Sequence, residues 1–185
     1  MNRIIPPQIR YDALTIRLHW LSAALVLALW CIGQAIDWFP KGAPRVWVRS
    51  SHIALGVVLL ATIAYRLYWR RTGARHLPPP SSMSIGQARV ATGLHHLLYL
   101  AMISVLLFGV ANTWVRGDNI FNLFRIPAWD PANKALRGNV EELHAWAANL
   151  LMVLAGLHAA AGLVHHYILK DTVLQRMLPF TADRR

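Results

Sequence analysis

The chain has a single cysteine, Cys31, among its 185 residues. That excludes an intrachain disulfide and the Cys-x-x-Cys-His run through which haem is attached covalently. Acidic residues are scarce as well, eight against nineteen basic ones. Charged residues of both signs make up only 15% and hydrophobic residues 56%, which argues against a soluble domain and for a membrane protein. The formal charge of +11 does not read as a nucleic-acid-binding surface, because the basic residues flank apolar stretches. There is no internal repeat and no low-complexity run.

Four apolar stretches are long enough to cross a bilayer, which takes about 20 residues each. They are Leu18–Phe39, His52–Trp69, Leu94–Val115 and Leu143–Ile168. The expectation is an all-α, integral membrane four-helix bundle forming one domain over residues 1–185. Gly33-Gln34-Ala35 faintly resembles a signal-peptide cleavage site. His19-Trp20 opens that first stretch, however, and a signal core has no use for a histidine. With four spans both termini share a side. Twelve basic residues fall on that side, among them Arg3, Arg17, Arg66, Arg70, Arg71, Lys170, Arg184 and Arg185, against seven on the other. The excess of Lys and Arg predicts cytoplasmic termini in a bacterial inner membrane. Residues 1–17 read as a basic arm with Pro6-Pro7, and Leu77-Pro78-Pro79-Pro80-Ser81-Ser82 as a turn-rich connector. Ser50 or Ser51 is expected to cap the second helix, and Asn139-Val140-Glu141-Glu142 to cap the fourth. The eight tryptophans mostly fall near helix ends, as an aromatic belt does.

Histidine inside hydrocarbon needs a partner and marks function. His144 and His158 lie fourteen residues apart, about 21 Å and four turns along a helix, with an angular offset of only about 40°. Both imidazoles therefore face the same way at two depths. His19 opens a stretch that starts inside, and His52 one that starts outside. Depth then matches His19 with His158 and His52 with His144, so two bis-histidine haems of b type, one per leaflet, fit the pattern. Two imidazoles leave no open position on iron and suit electron transfer better than oxygen binding. Ala54 and Gly56 follow His52, and Ala147, Ala148, Ala155, Gly156 and Ala159 through Gly162 flank the other pair, making room for a flat macrocycle. The same small residues also serve ordinary helix packing, and a metal pathway or a proton relay would use the same histidines. A diiron site is disfavoured, because Asp37 is the only carboxylate within the four stretches.

At these residues the sequence resembles the bacterial cytochrome b561 family, and within it the superoxide oxidase type. The resemblance runs through Ile16-Arg17-Leu18-His19-Trp20, His52 with Gly56, His95 followed by Tyr99, Arg116-Gly117, Leu143-His144 and Gly156-Leu157-His158-Ala159-Ala160-Ala161. It continues in the tail His165-His166-Tyr167, Lys170-Asp171 and Arg176-Met177-Leu178-Pro179. It implies that the haem irons are held by His19, His52, His144 and His158. The related ascorbate-dependent animal and plant proteins have six spans, which sets this chain apart from them.

The resemblance further implies a reaction: superoxide gives one electron at the outer, periplasmic face, leaves as dioxygen, and ubiquinone is reduced near the cytoplasmic side. The outer segments Lys41–Arg49 and Arg116–Arg137, with Arg116 and Arg125, would attract the anion. They could equally pair with propionates, lipid phosphates or nearby acids. Quinone candidates on the inner side are His95, His96, Tyr99, His165, His166, Lys170 and Asp171, where an imidazole could deliver a proton. Arg17 and Arg66 are candidate partners of the inner haem's propionates. Membrane lipid is an expected neighbour, and no nucleic acid is. The alternative is a cytochrome b subunit that passes electrons from a partner dehydrogenase or hydrogenase to quinone. The short outer loops give such a partner redox subunit little to grip.

Overall fold

The structure is a computed structural model, described over residues 10–179. Four helices run through it: α1 Ala13–Ala35, α2 Ala43–Thr72, α3 Ile85–Arg116 and α4 Lys134–Tyr167. All four are long and apolar enough to cross a membrane. Arg3, Pro6-Pro7, Arg184 and Arg185 lie outside the described residues.

Each helix starts from a local signal. Asp12 caps α1, its carboxylate accepting from Thr15 N at 2.8 Å and Thr15 Oγ1 at 2.7 Å. A Ser84–Gln87 capping box opens α3, and Asn133 caps α4 by accepting from Leu136 N at 2.9 Å. Gly42 precedes α2, whose first turn carries Pro44. Two expectations are corrected here. Ser50 and Ser51 sit inside α2, and Asn139 sits inside α4. Both helices begin about two turns before the apolar stretch does. The hydrocarbon boundary ends the apolar pattern but not the helix, because Arg45, Arg49, Arg137 and Glu141 remain helical in the wet interface.

α1 packs along α2 and α3 along α4, making two hairpins that touch each other far less. Where they do meet, Leu25, Leu29, Leu59, Ile63, Ala101, Met102, Val105 and Leu151 form the buried core. Leu151 lies midway along α4 between His144 and His158, so this plug occupies the middle of the bundle.

The two ends differ. At the loop end, Asn119–Ile120 and Phe124–Arg125 form a short antiparallel ladder, turned by Phe121 and Asn122 at φ 51° and 58°. Fully buried Ser50 ties it down, donating to Asn119 O at 3.2 Å and accepting from Phe121 N at 2.8 Å. At the terminal end, residues 175–178 are clasped across the start of α1. Trp20 Nε1 donates to Met177 O at 2.7 Å, Tyr11 N to Arg176 O at 3.3 Å, and Arg10 to Leu178 O. Asp12 also accepts from Trp69 Nε1 and from Arg75 N, each at 3.1 Å. The Trp69 ring occupies the place a Cβ on Gly73 would take, 2.3 Å from it.

Candidate functional site

The histidines meet across the seam between the hairpins. The ring centres of His19 on α1 and His158 on α4 are 6.1 Å apart, and those of His52 on α2 and His144 on α4 are also 6.1 Å apart. One helix thus contributes an imidazole to each pair, and the other hairpin supplies both partners. Two imidazoles on opposite faces of one metal, each bonded at about 2.0 Å with a ring centre about 1.1 Å beyond its nitrogen, sit about 6.2 Å apart. The residues therefore fit a haem with two axial histidines at each end. Among the described residues no three of His, Cys, Asp and Glu are grouped to hold a bare ion.

Two glycines shape the loop-end pair. A Cβ on Gly33 of α1 would stand 3.3 Å from Cε1 of His52, and one on Gly109 of α3 only 3.1 Å from Cε1 of His144. Nδ1 of His144 lies 3.1 Å from the carbonyl of Val105. With the proton on Nδ1 it donates there and leaves Nε2 as the ligand nitrogen. At the other pair, Arg66 donates toward Nδ1 of His19 at 3.1 Å, and its guanidinium stands 5.4 Å from the centre of the Tyr99 ring. His95 is a third imidazole here, 5.1 Å from His158.

Of the remaining sequence candidates, His165 and Asp171 meet. His165 Nδ1 is 2.5 Å from Asp171 Oδ2, in the last turn of α4 and two turns further along it than His158. Nδ1 of His166 is buried with no hydrogen-bond partner. His96 and Lys170 are exposed. Arg17 is exposed too, and makes no hydrogen bond or ion pair among the described residues.

Two clefts open at the loop end, above His52 and His144. The larger, 410 Å³, is lined by Lys41, Arg45, Arg49, Arg116 and Arg137 against Asp37 and Glu141. The smaller, 190 Å³, adds Arg125 and Asp118. Arg116 is not a free cation: only 9% of its side chain is exposed, and it bridges Glu141 at 2.9 Å and Asp118 at 3.5 Å. Arg45 pairs with Asp37 at 3.1 Å. Arg125 and Arg137 are exposed and form no ion pair among the described residues. Burial pushes the carboxyl of Asp118 up from its ordinary range, and the guanidinium groups of Arg116, Arg49 and Arg137 pull it only part of the way back.

Sequence reasoning missed Gly33 and Gly109. Each glycine lies on the helix that precedes its histidine's helix, so the signal was hairpin pairing rather than spacing along the chain.

The sequence profile of the prokaryotic cytochrome b561 family matches residues 10–180. A probable superoxide oxidase, CybB, of Yersinia pestis is 32% identical over 92% of this chain and 96% of its own length. Cytochrome b561 homolog 1 of Escherichia coli K12 is 29% identical over 92% and 97%. Cytochrome b562 of Cereibacter sphaeroides is 31% identical over 91% and 94%.

Proposed function

Since the chain belongs to the prokaryotic cytochrome b561 family, whose members carry electrons in membranes through b-type haem, we propose that it oxidises superoxide at its loop end and delivers the electrons to ubiquinone. Two superoxide anions each release one electron and leave as dioxygen. One ubiquinone takes up two electrons and two protons and leaves as ubiquinol. The observation that carries the reading is the pair of matched imidazole couples, each 6.1 Å between ring centres, at the two ends of a membrane-long bundle.

His19 with His158 and His52 with His144 would hold one haem each. Bound there, the haems supply reversible one-electron carriage with no open coordination position. The chain's own residues do the rest. Gly33 and Gly109 leave His52 and His144 room to turn, and Val105 fixes the tautomer of His144. Arg66 is the cation nearest the other pair, and a propionate would draw it from His19. The apolar plug around Leu59, Ile63 and Leu151 keeps water and superoxide out of the middle, so only electrons cross. The exposed Arg125 and Arg137 line the clefts above the loop-end pair and raise the encounter rate of a small anion. The superoxide assignment is supported by the similarity to the probable superoxide oxidase of Y. pestis. The excess of Lys and Arg at the terminal end supports placing that end in the cytoplasm of a bacterium, across the inner membrane.

The test mixes detergent-purified protein with enzymatically generated superoxide and follows haem reduction optically, with and without ubiquinone. The expected result is fast reduction that superoxide dismutase abolishes, followed by reoxidation that needs ubiquinone. Haem that stays oxidised under superoxide would overturn the donor assignment.

A further inference from the structure

The four imidazoles of the two couples are supported unequally. Gly109 of α3 faces His144, and a Cβ there would stand 3.1 Å from Cε1 and 3.5 Å from Nδ1 of that ring. This notch lets the ring lie against the α3 backbone, where Nδ1 is 3.1 Å from the carbonyl of Val105, four residues before the glycine. Val105 is buried in the core, so water does not compete for that carbonyl. A ring nitrogen that donates to an acceptor makes the other nitrogen a stronger ligand, and a stronger ligand favours the oxidised, more positive iron. His52 meets Gly33 in a matching notch, a Cβ standing 3.3 Å from its Cε1, but its Nδ1 is buried with no hydrogen-bond partner. The terminal-end couple has no acceptor at either ring. Nδ1 of His19 faces the Arg66 guanidinium at 3.1 Å, which can only donate. His158 has ring neighbours in His19 and His95 but no side-chain hydrogen bond among the described residues. Arg66 is half-buried and has no acidic partner among the described residues, so its charge is only partly screened. A positive charge beside a redox centre favours the reduced form, which is less positive by one unit. The loop end has more cations, but Arg45, Arg49 and Arg116 are set against Asp37, Asp118 and Glu141, and Arg125 and Arg137 are exposed to solvent. Haem propionates are common to both ends and leave the difference in place.

We propose that the Gly109 notch and the Val105 carbonyl make the loop-end haem the harder of the two to reduce, and that Arg66 makes the terminal-end haem the easier. This rests on the reading that each imidazole couple holds one haem. Gly109 and Val105 are positioning residues that act through His144, and Arg66 acts through its charge. The spacing of the couples is the same at both ends, 6.1 Å between ring centres, so the difference comes from what supports the rings. One electron leaves the loop end as the terminal end takes it up, with no bond formed or broken, and in that direction it moves downhill. The protein is thereby biased as a conduit. Electrons from an anionic donor at the loop end run toward the termini, and electrons offered by ubiquinol at the terminal end are held back there.

The experiment is an optical redox titration of the full, haem-loaded chain in detergent, with neither superoxide nor ubiquinone present. Two one-electron steps are expected. Gly109→Ala adds only the Cβ, to a helix that favours alanine over glycine, and shifts His144 by the few tenths of an ångström that a 3.1 Å approach demands. It should raise the lower step alone, changing the ratio of oxidised to reduced haem at a fixed potential about 10-fold, or about 59 mV. Arg66→Gln should lower the upper step alone by a similar amount. Arg66→Lys keeps the charge and should leave that step near its wild-type position. A purely structural role would change the haem content, read by pyridine haemochrome, without moving one step and sparing the other. Two haems that titrate as a single step, a Gly109→Ala variant that moves the upper step or neither, an Arg66→Lys variant as low as Arg66→Gln, or loss of haem from Gly109→Ala would each overturn the proposal. A wild-type chain that binds one haem or none would instead refute the reading that each couple holds one, and the bias with it.

Discussion

The two ends of the bundle present the same imidazole spacing in opposite surroundings. At the loop end the pair lies beneath arginine-lined clefts and an ion-pair network in which buried Arg116 and Asp118 join the more exposed Arg49 and Glu141. At the terminal end hydrogen bonds onto backbone carbonyls and onto the Asp12 carboxylate hold the clasp, with one cation, Arg66, at the pair and a held imidazole beyond it. The lesson is that the His–His distance sets what is carried, while the surroundings set what is exchanged at each end. Cations in clefts suit the anionic donor proposed for that end.

The comparison breaks most completely at the ligands. His144→Ala should remove the loop-end haem and keep the other, and His158→Ala should do the reverse, halving the haem bound per chain as measured by pyridine haemochrome. Superoxide-driven reduction should vanish in the first variant. In the second, superoxide should still reduce the remaining haem while ubiquinone no longer reoxidises it. Loss of both haems in either variant would mean that the two ends are not independent sites.

Next in size is the cradle. Gly109→Val places branched carbon where even a Cβ stands 3.1 Å from His144, so the imidazole must move. The loop-end haem should be weakened or lost, with the terminal-end haem spectrum unchanged. Gly33→Val should act the same way through His52, less strongly at 3.3 Å. If Gly109→Val alters only the terminal-end haem, the assignment of ends is reversed.

These glycines show where the sequence stopped being readable. The four spans were legible because a bilayer demands apolar runs of fixed length, and the histidine pairing because depth follows from the direction of each span. The helix starts were not, since Arg45 and Arg49 stay helical past the hydrocarbon edge and Ser50, which reads as a cap, holds the loop-end ladder instead. Gly33 and Gly109 become meaningful only once α1 is known to lie along α2 and α3 along α4. The His165–Asp171 contact depends on a left-handed Lys170, which nothing in the residue type announces.

A smaller effect tests the clefts. Arg116 is buried and paired, so neutralising it would disturb the fold as well as the field. Arg125→Gln with Arg137→Gln removes two exposed charges without breaking an ion pair. The superoxide-driven reduction rate should fall several-fold at low salt, with the gap closing as salt screens the field beyond about 10 Å. Reoxidation by ubiquinone at the opposite end should not change. Equal rates at all salt concentrations would remove these arginines from the path of the anion.

The smallest effect separates the two ends by acid. Burial alone would raise the carboxyl of Asp12, but the hydrogen bonds from Thr15, Arg75 and Trp69 outweigh it and hold it at about 2, against an ordinary 3.8. A carboxyl lowered in the folded state stabilises it above its ordinary value, and that contribution is lost as pH falls from there toward about 2. Asp118 is raised instead, so its ionised form is the costlier one in the folded chain, and acid through its range adds stability. Asn caps a helix as well as Asp does, so Asp12→Asn removes only the charge; it should lower stability near neutral pH, with the difference shrinking as the medium is acidified. Asp118→Asn should shift the pH dependence in the opposite direction. Thermal unfolding of the detergent-solubilised protein across this pH range reads both. If the two variants respond with the same sign, either the clasp around Asp12 or the arginine cage around Asp118 is not formed as described.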